Sequence, residues 1–163
     1  MEAKTEQDQP AATPLDLKDF EILKALQENA KLTIREIAGL VHLSATPTHE
    51  RIKRLERSGV IKQYAALLDH RRVNKGIMVF CQVSLKEHNK KIASEFIEAI
   101  MQFKEVIECY NISGDFDFML KIVAQDMESH HNFFVNRLSE IKGIAQTNSI
   151  FVMGTIKQTH QLL

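Results

Sequence analysis

Very little in this 163-residue sequence points to a covalent framework, a membrane or a catalytic loop. Only two cysteines are present, Cys81 and Cys109, and both sit in apolar runs. A disulfide scaffold usually needs more, so both are expected to be reduced core thiols. No apolar run approaches the roughly 20 residues that span a bilayer. The polar, acidic start MEAKTEQDQP has no signal-peptide pattern. These absences predict a soluble, cytoplasmic protein. Net charge is also missing: 21 basic and 21 acidic residues cancel, so the chain as a whole is not polybasic. There is no glycine-rich phosphate loop and no nucleophile beside an ordered base, so neither enzyme chemistry nor a cofactor is expected. Seven histidines raise a metal site, but adjacent His130 and His131 point roughly 100° apart on a helix. Neither has a ligand four residues on, and surface or packing histidines are expected instead.

What is present is an ordinary globular composition, 44% hydrophobic and 26% charged, enough for one medium domain or two small ones. The charge is unevenly spread. Residues 15–72 hold eleven basic and eight acidic side chains, whereas both flanks are slightly acidic. Residues 1–14, with Pro10 and Pro14, read as a flexible tail.

The basic stretch reads as three helices. Asp16 caps the first, which runs to about Asn29 with Phe20, Ile22, Leu23 and Leu26 as its apolar stripe. Thr33 and Glu36 have capping-box spacing and open the second, with Ile34, Ile37, Ala38 and Val41 inward. Gly39 inside it predicts close helix packing. Leu43 and Ser44 form a turn, and Thr46-Pro47 is read as the capped opening of a third helix that stops at Ser58-Gly59. A strand from Val60 to Leu68 would then be the wing of a winged helix-turn-helix.

A second unit begins near Gly76. Strand Ile77–Leu85 is followed by a helix over Ile92–Phe103. Strands Val106–Ser113 and Phe116–Ala124 meet at a Gly114-Asp115 turn. Asp126 caps a helix to about Ile141, and Ile144–Met153 is the last strand. The order β-α-β-β-α-β predicts a ferredoxin-like fold, two helices on one face of a four-stranded sheet, so the chain is α+β. Apolar residues in both registers of the first strand (Ile77, Val79 and Cys81 against Met78 and Phe80) predict that the other face is covered by self-association.

The third helix carries the function. Thr48, Ile52 and Leu55 share its inward face, while Thr46, Glu50, Lys53, Arg54 and Arg57 lie opposite with His49 at the edge. Such helices read bases from their N-terminal half and use later basic residues on phosphates. Thr46, His49, Glu50 and Lys53 are therefore the base-reading candidates, and Arg54 and Arg57 the phosphate candidates. Thr48, in the first half of the helix, is counted with the DNA contacts although its face is inward. Glu50 has two readings, acceptor from a cytosine amino group or ion-pair partner of Arg54. Arg51, on the shoulder, reads as a structural salt-bridge partner.

The segments LDLKDFEILKALQENAKLTIREIA, LSATPTHERIKRLERSGVIKQYAALLD, ISGDFDFMLKI and VMGTIKQT, in order over residues 15–160, closely resemble the Lrp/AsnC (leucine-responsive, or feast/famine) family of transcription regulators. The resemblance implies a winged helix-turn-helix over residues 15–62 and a wing strand and linker over 63–75. It further implies an effector and oligomerisation (RAM) domain over 76–155 and a C-terminal tail over 156–163. It implies homodimers assembling into octamers on double-stranded DNA, with amino-acid effectors held where dimers meet. Ser113, Gly114, Asp115, Phe116 and Asp117 match the family's effector loop, and Thr147 and Ser149 would line the same pocket. Without the resemblance, Gly114-Asp115 is an ordinary hairpin turn. Phe118 and Ile150 stand where leucine-responsive members often carry a tyrosine or other aromatic, and would favour an apolar effector such as leucine or methionine. Some relatives of the family are sirohaem decarboxylases. Arg137, the only arginine after residue 72, is poor provision for that polycarboxylate substrate. A third reading, an effector-binding module whose helices serve only assembly, leaves the basic face of the third helix without a role.

Overall fold

The computed structural model describes residues 14–87 and 89–163, and these cluster into two compact units. The expected tail, apart from Pro14, lies outside the described residues. One unit includes residues up to Ala66 together with Lys157–Leu163; the other spans Leu67–Ile156.

In the first unit, α1 (Leu17–Glu28), α2 (Ile34–Leu40) and α3 (Ala45–Arg57) close around Ile22, Leu23, Ile37, Val41, Ile52 and Leu55. Both α1 and α2 begin with a reciprocal capping box, Asp16 with Asp19 and Thr33 with Glu36. Each box satisfies two of the N–H groups that a helix start leaves bare. The start of α3 differs from expectation. Ser44 is its N-cap, Ala45 its first residue, and Pro47 its third, where the missing N–H is one the helix could not have used. Gly59, at φ 73°, terminates α3 in a conformation costly to residues with a Cβ.

Three expectations fail here. Phe20 is exposed, because α1 turns Asp19 rather than Phe20 inward with Ile22 and Leu23. A Cβ on Gly39 would meet nothing within 4 Å, so no helix packs closely on it. Residues 60–68 form no strand among the described residues; their apolar side chains Tyr64, Leu67 and Leu68 are exposed. A strand exists only where a neighbour accepts its backbone hydrogen bonds, and no described segment of this chain does so here.

The second unit is a four-stranded antiparallel sheet in the order β2-β3-β1-β4, built from β1 (Ile77–Leu85), β2 (Val106–Asn111), β3 (Phe118–Ala124) and β4 (Ile144–Phe151). Helices α4 (Lys90–Met101) and α5 (Met127–Phe133) cover one face. Phe96, Ile100, Phe133 and Leu138 meet Val79, Cys81, Val83, Leu85, Phe118, Leu120 and Ile122 there. Strand alternation puts Phe80, Met119, Tyr110 and Ile150 on the other face, with Tyr110 and Ile150 half exposed. The expected single helix to Ile141 is instead α5 followed by a wide π-type turn over Phe134–Leu138. Its mark is the Ser139 N–H donating to the Phe134 carbonyl, at 2.9 Å. Cys81 is buried as expected, but Cys109, on edge strand β2, is exposed.

Candidate nucleic-acid interface and effector region

Helix α3 presents Thr46, His49, Glu50, Lys53 and Arg57 to solvent and buries Thr48, Ile52 and Leu55. The inward position of Thr48 does not fit the DNA contact expected of it. Its side chain has no exposed surface, and its hydroxyl donates to the Ser44 carbonyl at 3.0 Å. Lys53 reaches Glu56 at 3.1 Å, and Tyr64 Oη donates to the other Glu56 oxygen at 3.0 Å. Those bonds, that from Lys53 first, lower the Glu56 pKa. Partial burial of this half-exposed residue and the same carboxylate push Tyr64 up to about 12.

Arg51 is the salt-bridge partner that its shoulder position predicted, but Arg54 departs from expectation. Arg54, expected on a phosphate, donates through Nη2 to Asp19 Oδ2 at 2.5 Å, not to Glu50. Arg51 Nη1 bridges Asp16 at 2.7 Å and Asp19 at 2.8 Å. These two carboxylates raise the Arg51 pKa further. Asp19 itself has no exposed surface. A buried carboxylate needs such pairing, because stripping water from an unpaired charge costs several kcal/mol. Arg54 stays partly exposed, with its side chain at 38%, and Arg57 is exposed. Sequence reasoning missed Asp19. The available signal was an acid spaced three and four residues before Ile22 and Leu23, inside the apolar stripe of α1.

In the second unit, six residues (112–117) join β2 to β3 where a two-residue turn was expected. Ser113, Gly114 and Asp115 are exposed, and Gly114 has φ 111°. Asp117 ties the loop to the end of β1. Its N–H donates to the Val83 carbonyl at 2.9 Å, and its Oδ2 accepts from the Leu85 N–H at 2.7 Å. Phe116 is half buried. Thr147 and Ser149 lie on β4, opposite Val83 and Cys81. Thr147 is thus level with the loop, whereas Ser149 is two residues further along the strand.

Ser149 instead lines an open groove of about 550 Å³ between α5 and β4, with Met127, Glu128, His130, His131, Phe134 and Phe151. His130 is buried against the Phe134 and Phe151 rings, and its Nε2 has no hydrogen-bond partner. Burial, reinforced by the like charge of His131, lowers its pKa. No cluster of three metal-ligating side chains occurs among the described residues. No described helix is long and apolar enough to cross a membrane.

Three helices presenting a basic, exposed third helix, followed by a ferredoxin-like unit, define a DNA-binding regulator with a ligand-binding domain. Known proteins agree. Residues 15–62 match the winged helix-turn-helix DNA-binding family, and residues 78–162 the Lrp/AsnC ligand binding domain. The chain is 36% identical to the leucine-responsive regulatory protein of Haemophilus influenzae over 149 residues, 91% of this chain and 90% of that one. It is also 36% identical to the Bkd operon transcriptional regulator of Pseudomonas aeruginosa, over 87% of this chain and 93% of the relative. A transcriptional regulator from Neisseria meningitidis, solved as an L-Met complex, superposes with a TM-score of 0.87 at 35% identity, covering 92% and 97% of the two chains. An AsnC family regulator from Agrobacterium tumefaciens gives 0.86 at 36% identity, covering 91% and 97%. The chain belongs to the Lrp/AsnC family of DNA-binding transcription regulators.

Proposed function

We propose that this regulator reads its operator through Thr46, His49, Glu50 and Lys53 and holds the DNA backbone through Arg57 and the exposed edge of Arg54. The observation that carries this reading is the exposure of those side chains along α3 while Thr48, Ile52 and Leu55 anchor its back. Homodimers would present two such helices to successive major-groove faces, and octamers would hold several dimers on one bent DNA.

We further propose that an apolar amino acid, leucine or methionine, is the effector, held at the loop Ser113–Asp117. Gly114 leaves room for backbone N–H groups to approach a carboxylate, and Asp115 is free in space to accept from an ammonium group. Thr147 stands beside this end of the sheet. The placement of Ser149 in the α5–β4 groove supports it less well as part of the loop pocket. The tie of Asp117 to Leu85 gives that carboxylate a role in shaping the loop. The neighbour whose structure holds L-Met supports the effector class. Effector binding would shift occupancy of DNA by its differential affinity for assembly states.

The test is fluorescence anisotropy with DNA from the protein's own upstream region, over a salt series, with and without leucine and methionine. Neutralising six to eight phosphates gives a slope of roughly −5 to −7 in log affinity against log salt. No binding at low salt would overturn the DNA assignment. Asp115→Ala should keep DNA binding and blunt the amino-acid response; an undiminished response would remove Asp115 from the site.

A further inference from the structure

We infer that Asp19 is a positioning residue for DNA recognition: its buried carboxylate grips both guanidiniums on the inner shoulder of α3, withholding Arg51 from the DNA backbone and setting the rotation of the helix. The inference rests on the DNA-binding reading of α3.

Four charged groups make the clamp. Asp16 and Asp19 come from the start of α1, Arg51 and Arg54 from the middle of α3, so two negative charges meet two positive ones. Asp19 Oδ1 accepts from Arg51, while Oδ2 accepts from Arg54 and from the Asp16 N–H at 3.1 Å. Both oxygens of a fully buried carboxylate are therefore filled, two of the three bonds by the helix that faces DNA. The rest of the α1–α3 contact is apolar, made by Ile22, Leu23, Ile52 and Leu55. Apolar contact is non-directional and tolerates small rotations of a helix about its axis. Two guanidiniums converging on one carboxylate do not, because rotation of α3 would leave a buried charge unpaired. One residue of slippage turns a helix by about 100°, so even a fraction of it would redirect Thr46, Glu50 and Lys53 away from base edges.

The clamp also has a consequence for non-specific binding. Arg51 spends its Nη1 on two carboxylates and its side chain is only 26% exposed. Of the two, Arg54 keeps the more exposed side chain, at 38%. Releasing both would add mobile positive charge beside the groove without adding any base contact, which strengthens attachment to every sequence alike.

The experiment uses the full-length protein, a duplex selected by the wild type from a random pool, and a scrambled duplex of the same composition. Binding is measured by anisotropy over a salt series. For Asp19→Asn the salt slope should steepen by about 0.9, because Arg54 already counts as a phosphate contact, and Arg51, left only its exposed and weak pair with Asp16, can then reach a phosphate. Affinity for the scrambled duplex should rise, and the selected-to-scrambled ratio should fall at least tenfold. A variant that loses affinity for both duplexes in proportion, at an unchanged slope, would show a purely structural Asp19 and overturn the inference. Arg51→Gln, which leaves Asp19 paired with Arg54, covers the case of a poorly folded Asp19→Asn. Its slope should match wild type, and one shallower by about 0.9 would make Arg51 a phosphate contact and overturn the clamp. Failure of the wild type itself to select a sequence would instead count against the DNA reading of α3.

Discussion

Thr48→Val separates a structural threonine from a DNA contact. The side chain has no exposed surface and spends its hydroxyl on the Ser44 carbonyl at 3.0 Å, a carbonyl that also accepts the Thr48 N–H at 3.3 Å. Valine has the same branching, so the helix keeps its shape and the carbonyl keeps one donor. Losing the hydroxyl bond costs about 0.5–1.5 kcal/mol. Burying a methyl in place of a hydroxyl returns something near 0.8 kcal/mol. The two nearly cancel, and urea unfolding should place the variant within about 1 kcal/mol of wild type. A side chain that touched a base would behave differently, since one lost base contact costs about 1–3 kcal/mol of discrimination. Affinity across a panel of single-base operator variants should therefore be unchanged. A tenfold loss confined to one base position, with stability intact, would refute the inward placement of Thr48.

Other substitutions test other parts of the molecule. Gly39→Ala should stabilise the protein by about 1 kcal/mol in urea titrations, because a Cβ there meets nothing and alanine is the better helix former. No gain would mean that residue 39 is packed after all. The neutral form of His130 is favoured by burial, so the unfolded chain binds the proton more readily than the folded one. Stability should be level above the ordinary imidazole pKa of about 6.5 and decline as pH falls from there toward the lowered folded value. His130→Leu should flatten that part of the profile, and a profile identical to wild type would place the acid sensitivity elsewhere. In a spectrophotometric titration Tyr64 should ionise near 12, and Glu56→Gln should bring it down. An unmoved Tyr64 would mean that the bond to Glu56 does not form.

Much of the fold was legible because local chemistry and apolar period agreed. The capping boxes at Asp16 and Thr33, the glycine stop after α3 and the bounds of β1 all depend on residues within a few positions of each other. The β-α-β-β-α-β order was readable for the same reason. The misreadings were of a different kind. Thr46 has the side chain of a helix cap, but the cap is whichever residue has the extended backbone when the chain leaves the turn, and that is Ser44. The loop of residues 112–117 exceeds a two-residue turn because Asp117 is held by β1, a strand distant in sequence. The widened turn after α5 also has no local signature; helix propensity favours an unbroken helix there.

The candidate DNA surface shows the same division. Sequence alone determined that α3 is a basic, amphipathic helix with an apolar back, since its period of 3.6 residues sorts side chains before any partner is known. It determined the family as well, through motifs spread along nearly the whole chain. The shoulder position of Arg51 marked it as a salt-bridge partner, but only tertiary structure named its carboxylates and drew Arg54 to one of them. A guanidinium serves a phosphate or a carboxylate with the same geometry, and the choice between them depends on what lies within about 3 Å. For Arg51 and Arg54 that neighbour is Asp19, 32 and 35 residues away along the chain and fully buried. Charge pairing at such separation is a property of the packed helices, and no local pattern in the sequence encodes it.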